Sequence, residues 1–160
     1  MPFTGFYEHT IDAKHRLAIP AEIRALVTPP QGAGEKSGAV VFYVTLGEKR
    51  SLCLYPEKEF DKRAAALDDS ERDADEVLSY EEVFFGLARR VEMDAQGRVR
   101  LPEHLIKMAK LGPEVVLVGS KDHLRIRDRA EWLARIQRVV DNEEDVLNPR
   151  RLLRRAKQGD

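Results

Sequence analysis

The period of apolar and polar positions changes several times along the chain, and each change marks an element. In "AEIRALV" (residues 21–27), Ile23, Leu26 and Val27 fall at helical spacing, as do Leu105, Met108 and Ala109 in "EHLIKMAKL" (103–111). Both patterns predict short helices that begin behind a proline, Pro20 or Pro102, whose missing N–H costs nothing at a helix start. The runs "AVVFYVT" (39–45) and "SLCLY" (51–55) are strand-sized, as are "EVVLVG" (114–119) and "HLRIR" (123–127). Each pair is split by a polar turn, "LGEKR" or "SKD", and so predicts a hairpin. Further helix patterns follow, "PEKEFDKRAAAL" and "DRAEWLARIQRVV", with Phe60 and Trp132 at equivalent places. Strands are also predicted upstream, in "TGFYEHTI" and "LARRVEM".

The order strand, turn, strand, helix, hairpin, helix therefore occurs twice. Its sharpest trace is "IDAKHRLAIP" (11–20) against "MDAQGRVRLP" (93–102), which pairs Asp12 with Asp94, Arg16 with Arg98 and Pro20 with Pro102. Two copies are too few for a solenoid, and about 60 residues is marginal for an independent domain. Strands that partly alternate, such as Leu124-Arg125-Ile126-Arg127, leave one face to be covered, and the other half is the economical cover. The expectation is one pseudo-symmetric unit of α+β class, mainly β. Its halves are residues 3–67 and 88–140, joined by a helical linker over 68–87 and followed by a charged helix or tail over 141–160. Asp69 or Ser70 is the expected N-cap of the linker helix. The segment "TPPQGAGEKSGA" (28–39) reads as a surface loop inserted in the first half only, since the second has just Gly112-Pro113 there.

Asp followed four residues later by Arg suits a tight turn, because the carboxylate can accept backbone N–H groups two or three residues on. Gly97 fits the positive φ that such a turn needs, and His15 holds the matching place at some conformational cost. The plain reading is that Asp12 and Asp94 pair with Arg16 and Arg98 and close the turns. The functional reading adds that the turns present Lys14, His15 and Arg16, and Gln96, Arg98 and Arg100, to DNA, since Arg can bind guanine or phosphate and Gln can read adenine. His15 would add a pH-dependent charge.

A net charge of -1 looks wrong for a partner of DNA, but the charge is sorted along the chain. Residues 68–76 hold six acids against Arg72, whereas residues 149–160 hold five bases against Asp160. That basic tail could bind phosphate, cover an acidic linker or fray. Hydrophobic residues make up 42% of the chain and charged ones 34%, which suits a soluble globular protein. The longest apolar runs are strand-sized, no export signal opens the chain and Cys53 is alone, so a cytoplasmic protein with no membrane segment is expected.

"EHTIDAKHRLAIPAEIR" and "VEMDAQGRVRLPEHL", in this order, resemble the two signature turns of the MraZ family of bacterial transcriptional regulators. The resemblance runs from about Phe3 to Val139. It implies tandem AbrB-like swapped-hairpin halves forming an intertwined β-barrel with flanking helices. It also implies ring-like homo-oligomers that bind repeated promoter elements of the division and cell-wall gene cluster on the nucleoid; a repressor is the expectation, although the sequence does not distinguish repression from activation. The family's D-x-x-x-R positions fall on Asp12 and Arg16 and on Asp94 and Arg98. Two features depart from the family: His15 stands where Gly is usual, and the 28–39 loop is longer.

Catalysis is not expected. Asp12, His15, His104 and His123 show no metal-site spacing, and no H-E-x-x-H, paired Cys, G-x-S-x-G or P-loop is present. Cys53, between Leu52 and Leu54, reads as packed or inert. No cofactor, metal or small-molecule substrate is expected. The rival non-enzymatic reading is an AbrB-like antitoxin or protein-interaction module, although such a chain usually needs only one half and gains the other by dimerising.

Overall fold

The computed structural model describes residues 1–29, 38–68, 74–142 and 150. Most of the 28–39 insertion, the N-cap candidates Asp69 and Ser70, and the tail beyond 142 apart from Arg150 lie outside the described residues. The chain divides into two compact units, Met1–Asp128 and Arg129–Asp160.

The first unit contains β1 (Phe6–Thr10), β2 (Arg16–Ala18), α1 (Ala21–Val27), β3 (Val41–Leu46), β4 (Leu52–Pro56) and α2 (Glu57–Asp68). It continues with α3 (Ala74–Leu87), β5 (Arg89–Glu92), β6 (Arg98–Arg100), α4 (Glu103–Met108), β7 (Glu114–Gly119) and β8 (Leu124–Asp128). The described part of the second unit is chiefly α5 (Arg129–Asp141), an amphipathic helix that exposes Leu133 and Val140.

Six strands form one antiparallel sheet in the order β1-β7-β8-β4-β3-β5, and β2 pairs with β6 in a separate ribbon. The order reads the same from either end once the repeat is applied. The first strand of each half crosses to the hairpin of the other: β1 joins β7 and β5 joins β3. The hairpins meet at the centre through β4 and β8.

The closed barrel implied by the family resemblance is not formed among the described residues. The pseudo-twofold places β1 and β5 at opposite edges of the sheet, where neither can pair with the other. Beyond each edge strand the chain turns within a few residues into β2 or β6, and these two short strands satisfy each other instead.

Side-chain alternation splits β4 between two cores. Leu52 and Leu54 join the main core with Leu17, Ile23, Phe42, Val99, Leu105, Leu117 and Ile126, while Cys53 and Tyr55 face Phe60 of α2 and Phe84 of α3. Burial on both faces explains why "SLCLY" is apolar almost throughout. The second core is aromatic: Tyr43 stacks on Phe60 at 4.3 Å, and the Tyr55 ring meets the Phe84 edge at 5.8 Å. Thr45 Oγ1 donates a buried hydrogen bond to the Phe84 carbonyl at 2.7 Å, fixing the C-terminal end of α3 on the sheet.

His123 is buried beside this layer, stacked on Tyr55 at 4.5 Å with Nδ1 2.8 Å from Asp122 Oδ1. Burial pushes its pKa down; Asp122 opposes the shift, and Arg125 and Arg63 reinforce it. The fold therefore holds a neutral imidazole, whereas the unfolded chain takes up a proton below about pH 6.5. Stability is full above that pH and declines as acidification moves from the unfolded value towards the depressed folded one. Thermal melts should show this decline on the mildly acidic side, and His123→Phe, which keeps the stack, should flatten it. An unchanged acid limb in the variant would remove His123 from the explanation.

Candidate nucleic-acid interface

Each turn is closed locally by its aspartate. In the first, Asp12 Oδ1 accepts the N–H groups of Lys14 at 2.9 Å and Arg16 at 2.8 Å, and Oδ2 accepts Arg16 Nε at 2.7 Å. Backbone bonds from Asp12 N to Arg16 O and from His15 N to Asp12 O complete it. The second turn repeats every bond: Asp94 Oδ1 accepts from Gln96 and Arg98 N–H at 3.0 and 2.9 Å, and Oδ2 from Arg98 Nε at 3.0 Å. Its two backbone bonds also recur, from Asp94 N to Arg98 O and from Gly97 N to Asp94 O.

The residue before each arginine has a left-handed backbone, with φ +62° at His15 and +77° at Gly97. Histidine bears a steric cost there that glycine does not, of about 1 to 2 kcal/mol. These two residues also join the halves. The His15 carbonyl accepts Leu101 N–H at 2.8 Å and the Gly97 carbonyl accepts Ile19 N–H at 2.9 Å, which extends the β2–β6 ladder at both ends.

The backbone N–H of Arg16 leads in holding the Asp12 carboxyl below its ordinary range, and the Arg16 guanidinium and Lys14 N–H add to it. Arg98 and Gln96 do the same for Asp94. The plain Asp–Arg pairing is thus present in both turns, and it does not use up the arginines. Asp94 takes the Nε edge of Arg98, and Nη2 donates to Gln96 Oε1 at 2.8 Å, leaving the Gln96 amide nitrogen with no partner among the described residues.

The ribbon has two unlike faces. Leu17 and Val99 are opposite one another and fully buried, anchoring the ribbon on the core. Truncating such a leucine to alanine costs about 2 to 5 kcal/mol. Arg16, Ala18, Arg98 and Arg100 form the other face, with Arg16 directly opposite Arg100 and Ala18 opposite Arg98. Like charges directly opposite across an antiparallel pair repel, so this end of the ribbon favours an anion.

The structure therefore brings Lys14, His15, Arg16 and Arg100 to one end of the ribbon and Gln96, Gly97 and Arg98 to the other. It does not gather Asp12, His15, His104 and His123; among the described residues no group of three or more His, Cys, Asp or Glu could hold a metal ion. No described helix is long and apolar enough to cross a membrane. Sequence pattern does not single out Arg24, which reaches the second turn from α1 only because the halves cross.

Replacing Asp94 by Ala removes all three bonds of the carboxylate, and the variant should melt at a lower temperature than wild type. Asp94→Asn, which keeps an acceptor for the two backbone groups, should retain most of the difference. Equal melting of Asp94→Ala and wild type would mean that the carboxylate does not hold the turn.

A family model described as "MraZ protein, putative antitoxin-like" matches residues 84–155. A protein of Carboxydothermus hydrogenoformans named transcriptional regulator MraZ is 38% identical over 133 residues, covering 81% of this chain and 83% of its own length. Its namesake in Neisseria meningitidis serogroup C is 37% identical over 150 residues, covering 91% and 92%. The one in Desulforamulus reducens is 33% identical over 155 residues, covering 91% and 99%.

Proposed function

The chain belongs to the MraZ family, and from that premise we propose that it is a sequence-specific DNA-binding transcriptional regulator, a repressor of the division and cell-wall gene cluster. The observation that carries this reading is the pair of turns with the same five hydrogen bonds at the two ends of one arginine-faced ribbon.

In this reading Asp12, Asp94 and Gly97 hold the turns, while Lys14, His15, Arg16, Gln96, Arg98 and Arg100 meet the duplex. Aspartate fixes each arginine by its Nε edge, so less side-chain freedom is lost on binding. Gln96, its oxygen engaged by Arg98, offers its amide N–H groups to a base edge or phosphate.

The repeated halves, residues 3–67 and 88–140, correspond to AbrB-like swapped-hairpin units, and the crossing of β1 to β7 and of β5 to β3 supports that arrangement. One ribbon can neutralise only a few phosphates, so useful affinity requires several ribbons acting together on repeated promoter elements. A ring-like homo-oligomer supplies them, and the protein then resides on the nucleoid.

A nuclease footprint on the region upstream of the protein's own coding sequence tests this function. Protection at spaced repeats is expected; protection that ignores sequence would sink it. The antitoxin-like wording of the family description favours one other reading, in which the chain restrains a protein partner. Purification from the native host separates the two, since that reading requires a stoichiometric small protein to accompany the chain.

A further inference from the structure

The two ends of the ribbon are related by the repeat, yet their cations differ. Arg16 has Arg100 directly across the ladder, but Arg98 has Ala18 in the corresponding place. Judged by the ribbon alone, the second turn is one arginine short.

A side chain from the other half stands there. Arg24 of α1 lies against Gly97 so closely that a Cβ placed on that glycine would fall 2.4 Å from Arg24 Nη1 and 2.6 Å from its Cδ. With Ala18 and Gln96 it lines an open cleft of about 350 Å³, which Tyr7, His9 and Glu22 also line. Glu22, the carboxylate of that lining nearest to Arg24 in sequence, accepts the Tyr7 hydroxyl at 2.8 Å and makes no ion pair with Arg24. Among the described residues the Arg24 guanidinium has no hydrogen bond or ion pair, and its Nε is buried with no partner. A guanidinium held half-buried without a carboxylate is unfavourable in the free protein, and an incoming anion would relieve it.

The repeat underlines the asymmetry. Arg24 corresponds to Ile106 in the second half, and Gly97 to His15. The first turn thus carries its own side chain at the left-handed position, and the place matching Arg24 is apolar. The second turn lacks a side chain there, and the vacated space admits an arginine.

We infer that Arg24 is a DNA-phosphate contact of the second turn, supplied by the opposite half in place of the arginine missing at position 18. The inference rests on the DNA-binding reading above. It makes Gly97 the residue that admits the cation, beyond the residue that permits the turn. It also makes phosphate binding at the second turn depend on how the halves cross.

The test is a fluorescence-anisotropy titration over a range of salt concentrations. Wild type, Arg24→Gln, Arg24→Lys and Arg98→Ala are each titrated with a duplex from the chain's own upstream region and a shuffled duplex of equal length. Loss of one phosphate contact lowers the slope of log K against log salt by about 0.9 for each Arg24 engaged. The affinity gap between wild type and Arg24→Gln then narrows by about 3.5-fold for a fourfold rise in salt. The loss should be alike on both duplexes, because a phosphate carries no sequence, and Arg24→Lys should recover the slope. Melting curves of the variants confirm that the fold is kept. If Arg24→Gln folds and binds with wild-type slope while Arg98→Ala is impaired, the inference is wrong and the DNA-binding reading survives. Wild type that binds neither duplex overturns both.

Discussion

Residues 1–69 expressed alone fail to fold as a monomer. Among the described residues, four of the six strand pairings join one half to the other: β1–β7, β2–β6, β3–β5 and β4–β8. The fragment keeps only β3–β4, and a lone two-stranded hairpin is marginal in water. Its main core is divided as well, since Leu17, Ile23, Phe42 and Leu54 pack with Val99, Leu105, Leu117 and Ile126 of the other half. The expected effect is loss of the whole folding free energy, about 5 to 15 kcal/mol for a domain. Amide proton spectra of the fragment should be collapsed, with no cooperative melt, and adding residues 70–160 should restore dispersion. Sharp, dispersed signals from a monomeric fragment would show that the crossing strands are dispensable.

Arg98→Ala is expected to weaken DNA binding by about 1 to 3 kcal/mol per site, or about 5-fold to 150-fold, while the fold persists. The fold should persist because Asp94 Oδ1 keeps its two backbone bonds when the guanidinium is gone. The ribbon also keeps Val99 in the core. Arg16→Ala should have a comparable effect, since Arg16 stands in the same set of bonds. Affinity measured across salt concentrations decides the matter. An Arg98→Ala variant with wild-type affinity and wild-type slope would mean that Arg98 serves only to close its turn.

The features of this fold differ in how far apart their determinants lie in the chain. The turns were legible in the sequence, because every bond that closes them spans four residues or fewer and involves the Asp, the Arg and the backbone between. The left-handed position was legible for the same reason, as Gly97 and His15 occupy matching places in the repeat. The hairpins, the proline-started helices and α3 followed from local period and punctuation. Mutual packing of two halves of about 60 residues was expected from their size and from strands that leave one face to be covered.

Partnership was not legible. The repeat gives each half a first strand that could pair with either hairpin, and alternation of apolar residues is satisfied equally well by both choices. Only the complete chain shows β1 crossing to β7 and β5 to β3, and with that crossing the described residues form an open sheet order in place of a closed barrel. The same non-local step sets His123 on Tyr55 and brings Arg24 over Gly97. The sequence by itself determined the two turns and their duplication, since hydrogen bonds between near neighbours are encoded where they form. The tertiary structure decided which half completes which, because packing free energy depends on surfaces that are assembled from residues far apart in the chain.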